Sequence, residues 1–188
     1  HLQFDLITSY MDEYWGHSLN HFLISPLRKI EFMLGNILTG FIKFLFVLLI
    51  YLLLGKFLFS FTLINIPQFI IGILSLSVFG VILGIIGMGL VTLYHDNAYT
   101  AAYIIPDLLV LLSGVYYPIT IFPAALQKFI AFIPAVYGFD ILKSTIGLGS
   151  ANYPMLILTT LVWLVLAILF FVLCFNHAKK TGRLGRMM

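Results

Sequence analysis

Residues 68–93 read QFIIGILSLSVFGVILGIIGMGLVTL, with no Asp, Glu, Lys or Arg among them. A bilayer core of about 30 Å is crossed by about 20 mostly apolar helical residues. This stretch is long enough to cross. It must do so as a helix, because backbone groups left unpaired in hydrocarbon are too costly.

Working outward, three further apolar runs have the same character. One covers roughly 33–55 and contains Lys43, one roughly 98–116 with Asp107, and one roughly 154–176. The 188-residue chain is 62% hydrophobic and 9% charged, and its mean hydropathy is +1.10. Soluble domains are about 45–50% apolar and about 25% charged. A chain of this size cannot hide so much apolar surface inside itself. The expectation is an all-α polytopic membrane protein that forms one transmembrane domain with four spans.

The remaining segments are punctuated differently. Residues 1–31 hold a helix at 4–24 whose Phe4, Leu6, Ile7, Tyr10, Met11, Tyr14 and Trp15 recur at helical spacing between Asp5, Asp12 and Glu13. It is too polar to span and is expected at the membrane surface. Ser25-Pro26 ends it, because the residue before proline is pushed out of the helical region. Residues 117–153 are bent by Pro118, Pro123 and Pro134. Their short apolar pieces, 124–133 and 137–146, are too short to cross. They are expected as two re-entrant or interfacial half-helices in the outer leaflet.

Charge placement orients the bundle. Arg28, Lys29 and the tail cations Lys179, Lys180, Arg183 and Arg186 fall on one side. Lys56, Lys128 and Lys143 fall on the other. The excess marks the cytoplasmic face, so both ends of the chain, including the tail 177–188, are expected there, in the plasma or bacterial inner membrane. The sequence starts at His1 and is expected to begin inside a longer protein.

Two motifs carry a family resemblance. Leu112-Ser113-Gly114-Val115-Tyr116-Tyr117-Pro118 is followed by Phe122-Pro123, Leu126-Gln127, Ile133-Pro134, Tyr137 and Asp140. This resembles the signature of type-2 permeases of ATP-binding-cassette (ABC) exporters. Ser18-Leu19-Asn20-His21-Phe22-Leu23-Ile24-Ser25-Pro26-Leu27 is similar to the segment that forms that family's coupling helix. Here His17 stands for its Gly, Ser18 for its Thr and Asn20 for its Glu. The resemblance covers nearly the whole chain. It implies six spans, the first two of which would precede His1.

The resemblance also implies roles and partners. Asp12, Glu13, Trp15, Ser18, His21, Phe22, Ser25, Pro26 and Arg28 would meet a partner ABC ATPase. Tyr116, Tyr117, Pro118, Pro134, Tyr137 and Asp140 would line or close the outer mouth. ATP and its magnesium ion would sit on the ATPase, none on this chain. A second permease copy would complete the pathway, and the cargo would be a drug, a lipid or a polysaccharide-like molecule leaving the cytoplasm.

The residues themselves add further expectations. Lys43 and Asp107 are charges within spans, where buried charge is expensive and faces protein or water. They stand at similar helical distances from the cytoplasmic flank, so they are expected to pair or to line the route. Gly80 and Gly84 form a G-x-x-x-G pair that permits close helix approach; an intramolecular contact is expected. His17 and His21 are four apart but lack a third ligand, so no metal site is expected. Cys174 is the single cysteine, which excludes an intrachain disulfide and a cysteine metal cluster. No G-x-x-x-x-G-K-[ST] loop is present, so ATP is not bound by that route. The short mixed tail is no nucleic-acid arm. The competing reading is a membrane-embedded scaffold, or an intramembrane enzyme. An enzyme would require paired acids, histidines or a serine motif in the spans, and only isolated Asp107 is found.

Overall fold

A computed structural model describes residues 2–15, 29–59, 65–94, 99–148 and 151–180. All regular structure among them is helical: α1 (Leu2–Trp15), α2 (Lys29–Phe59), α3 (Ile66–Tyr94), α4 (Tyr99–Leu112), a 3₁₀ turn (Ile119–Ile121), α5 (Ala124–Ile130), α6 (Pro134–Ser144) and α7 (Tyr153–Lys180).

Helix α3, which contains the opening stretch, is the axis of the molecule. It is apolar all round, as a helix that faces protein on some sides and lipid on others should be: Ile66, Ile70, Ile71 and Leu74 in its first half are exposed. Its small residues are where the neighbours approach. Phe170 and Cys174 of α7 lie over Gly89. Leu142 of α6 lies over Gly72, and Ile7 of α1 over Gly87. Two buried clusters follow from this. One joins α1, α3, α4 and α7 around Ile7, Met11, Ile82, Met88 and Ala102. The other joins α3, α4, α5 and α6 around Phe79, Leu83, Leu109, Ile130 and Ile133.

Among the described residues, three helices are long and apolar enough to cross a membrane: Leu34–Leu58 within α2, Ile66–Tyr94 and Tyr153–Lys180. The third expected span is shorter than the sequence suggests. Helix α4 has 14 residues, about 21 Å at 1.5 Å per residue, which is less than a bilayer core. It stops because Gly114 takes a left-handed φ of 78°, the usual conformation just past a helix end. The rest of that depth is filled by α5 and α6. These two meet at an 83° bend and together would pass as one broken span.

Helix α1 also departs from expectation. It does not lie across the surface but runs lengthwise along α3, in the same direction. Leu2 sits over Gly80, Leu6 over Gly84 and Ile7 over Gly87, and Tyr10 hydrogen-bonds Thr92 at 2.7 Å. Leu6, Ile7 and Met11 are almost wholly buried. The glycines make a groove that takes the apolar face of α1. The G-x-x-x-G pair therefore serves an intramolecular contact, as expected. Helix α2 packs on the outer side of α1, with Gly40 beside Leu2 and Leu6.

Candidate functional site

The irregular segment between α4 and α7 is the most distinctive part of the chain. It runs through α5, turns by 83° at residues 131–133 and continues as α6 along α3, where Leu142 meets Gly72. Ile130 and Ile133 at the turn are fully buried against Phe79 and Leu83. The turn is level with Trp163 of α7, ten residues past Tyr153, or about 15 Å along the helix. That is about half of a bilayer core. The pair is a bent hairpin with the length and composition of either a broken span or a re-entrant loop.

Non-helical backbone at that depth survives only where protein satisfies its polar groups. Side chains do so here one carbonyl at a time. Trp163 Nε1 donates to Phe132 O at 2.8 Å. Tyr137 OH donates to Ala131 O at 2.8 Å. Gln127 Nε2 donates to Phe122 O at 2.7 Å. Lys143 Nζ donates to Gly114 O at 2.7 Å, and Ser113 Oγ to Val110 O. The L-S-G, Q and P-x-x-Y elements of the motif are thus the fastenings of the hairpin. Pro134 opens α6 at its first turn, where its missing N–H costs nothing. This is why α6 begins three residues earlier than a proline break suggests.

The expected outer-mouth residues divide into two groups. Tyr116, Tyr117 and Pro118 are exposed at the turn after α4, whereas Pro134 is buried and Tyr137 and Asp140 are half-buried on α6. Trp163 had no role in the sequence reading, and Lys143 entered it only as a flanking charge. A tryptophan in the middle of a span, away from the interfacial belts where it is enriched, was the available signal for the first.

The intramembrane charges are not paired with each other. Among the described residues neither Lys43 nor Asp107 makes an ion pair; Asp107 Oδ1 accepts from Gln3 Nε2 of α1 at 3.4 Å. Asp107 borders a cavity of about 310 Å³ lined also by Gln3, Phe44, Ser77, Phe79 and Phe139. Lys43 is exposed on α2, next in sequence to the cavity-lining Phe44. The two charges flank one region without touching.

Of the expected ATPase-facing residues, Asp12 is exposed near the end of α1. The side chains of Glu13 and Trp15, and residues Ser18, His21, Phe22, Ser25, Pro26 and Arg28, lie outside the described residues. Among the described residues no group of His, Cys, Asp and Glu could hold a metal ion.

A family model described as ABC-2 family transporter protein matches residues 17–175. That match takes in the segment after α1, α2 to α6 and most of α7. None of the curated proteins and none of the solved structures compared with the chain matches it.

Proposed function

The chain belongs to the ABC-2 transporter family, and from that membership we propose that it works as an exporter permease, moving cargo out of the cytoplasm on energy from a partner ATPase. It is the membrane-embedded component of an ABC transporter and not the ATPase. The proposal concerns direction, coupling and gate.

The observation that carries it is the bent pair α5–α6, fastened to α3 and α7, which in this reading is a re-entrant hairpin with its elbow at mid-depth. A hairpin of this kind closes a path at the outer leaflet without itself crossing the membrane. Tyr116, Tyr117 and Pro118 form its outer rim. Displacing the hairpin from α3 opens the path. Because packed interfaces have discrete arrangements, small displacements at one end of a rigid helix become such openings at the other.

The energy enters at the cytoplasmic side. Residues 16–28 follow α1, and α1 lies lengthwise on the glycine face of α3. A push on that segment from a closing ATPase reaches α3 through α1. Helix α3 in turn carries α6 on Gly72 and α7 on Gly89. Asp12, Glu13, Trp15, Ser18, His21, Phe22, Ser25, Pro26 and Arg28 are the docking residues in this reading. A second copy completes the pathway: Asp107 is exposed on one chain, and a carboxylate at span depth needs water or protein beside it. ATP with its magnesium ion binds the ATPase and shifts the permease between inward- and outward-facing states by its differential affinity for them.

Co-purification of the cognate ATPase, followed by turnover measurements in proteoliposomes, tests the proposal. The permease should raise ATPase turnover, and Arg28→Glu or Trp15→Ala should abolish the rise while the chain still folds. An ATPase that neither binds the permease nor responds to it overturns the reading.

A further inference from the structure

The cavity beside Asp107 has a one-sided chemistry. Its carboxylate has a single, long hydrogen bond from Gln3. Ser77, buried in the wall, spends its hydroxyl proton on Leu74 O at 2.8 Å, so it offers the cavity only lone pairs. Three phenyl rings, Phe44, Phe79 and Phe139, stand in the walls among aliphatic side chains such as Leu2, Ile73 and Val110, and no Lys, Arg or His is among the described residues that line the cavity. Lys43 precedes Phe44, but neighbouring residues on a helix point about 100° apart.

Apart from Gln3, whose side chain also carries N–H donors, the polar groups in the walls are acceptors. Phenyl faces and a carboxylate together attract organic cations, the faces through their quadrupoles. The volume of about 310 Å³ lies at the small end of ligand pockets. It fits a substituted ammonium group rather than a whole large molecule.

We infer that this cavity is a binding site for an organic ammonium cation, held by Asp107 and the faces of Phe44, Phe79 and Phe139. The inference deepens the transport reading and rests on it, because it makes ammonium-bearing molecules the cargo class. Asp107 supplies the charge and the rings supply the shape. Gln3 holds the carboxylate from α1, the helix that leads to the proposed coupling segment. Occupancy of the cavity is thereby linked to the position of α1.

Calorimetry on the permease–ATPase complex in neutral maltoside micelles tests this with benzyltrimethylammonium as the probe and benzyl alcohol as its uncharged comparator. The cation should bind saturably and the alcohol should not compete. Asp107→Asn should weaken cation binding by about tenfold or more, and Phe44→Leu by about two- to fivefold. Asp5→Asn, an equal loss of charge on α1 outside the cavity walls, should leave it unchanged. If Asp107→Asn does not fold, the Phe44→Leu series and the cation-to-alcohol comparison decide. No cation binding by the unmodified complex, equal binding of the alcohol, or full binding by a folded Asp107→Asn overturns the inference. ATPase stimulation in the same preparations separates the two claims. Stimulation without cation binding leaves the transporter reading standing and removes the site. Cation binding without stimulation does the reverse.

Discussion

Replacing Gly84 with alanine should loosen the contact between α1 and α3. The added Cβ would lie 2.6 Å from Leu6 Cδ1 and 3.0 Å from Leu6 Cβ. Carbon atoms settle at about 3.5–4.0 Å. A change of Leu6 rotamer relieves the first clash but not the second, because a Cβ moves only with its backbone. One turn on, Ile7 already fills the space over Gly87, so α1 cannot slide along the groove. The helices must part by about half an ångström or more. Overpacking of this kind costs about 1–3 kcal/mol. Alanine's higher helix propensity returns up to about 1 kcal/mol, for a net loss of about 1–2 kcal/mol. Reversible unfolding by SDS in mixed micelles measures it. Gly35→Ala, which meets nothing within 4 Å, is the control and should be neutral or slightly stabilising. Adding Leu6→Ala removes the Cδ1 clash but leaves the Cβ contact at 3.0 Å, so the two sites should couple by part of the loss, about 0.5–1 kcal/mol. If Gly84→Ala is as stable as Gly35→Ala, or adds to Leu6→Ala without coupling, α1 does not lie in this groove.

Other perturbations probe the hairpin and the intramembrane charges. Trp163→Phe keeps an aromatic ring but strands the Phe132 carbonyl, and should cost about 1–3 kcal/mol in thermal or SDS unfolding. Gly114→Ala forces a side chain into a φ of 78° and within 3.1 Å of Ile119. It should destabilise by about 1–2 kcal/mol, whereas Lys143→Met, which releases the same turn's carbonyl, should cost about 1.5–3 kcal/mol. Because Asp107 is bonded to Gln3 and not to Lys43, Asp107→Asn should couple to Gln3→Leu but add to Lys43→Met in the same unfolding assay.

The long spans were legible because an uninterrupted apolar run of bilayer length has a single physical solution. The break between α5 and α6 was legible too, since Pro118, Pro123 and Pro134 cut the chain into short pieces. The length of α4 was harder. Residues 98–116 are apolar to the end, and the stop depends on Gly114 turning left-handed after Leu112. That glycine was visible, but as part of a motif rather than as a helix terminus. The place of α1 was hidden for a different reason. An amphipathic helix with Asp5 and Asp12 on its polar side looks the same whether its apolar face rests on headgroups or on glycines. Only the contacts of Leu2, Leu6 and Ile7 with residues about eighty positions away distinguish the two. A still longer separation, 104 residues, conceals the Gln3–Asp107 bond. Helical rise suggests comparable depths for Lys43 and Asp107, but depth alone does not choose a partner.

The central claim is that nucleotide on a cytoplasmic ATPase moves a hairpin on the far side of the membrane. Accessibility of the hairpin elbow tests it without knowledge of the cargo. A single cysteine placed by Ala131→Cys in a Cys174→Ala background would be labelled with a membrane-impermeant maleimide added outside, with the ATPase empty or trapped with ATP. The account predicts labelling about tenfold or more faster in the ATP-trapped state, as expected when a closed majority becomes an open one. Equal rates in both states, with the ATPase demonstrably bound, would contradict it.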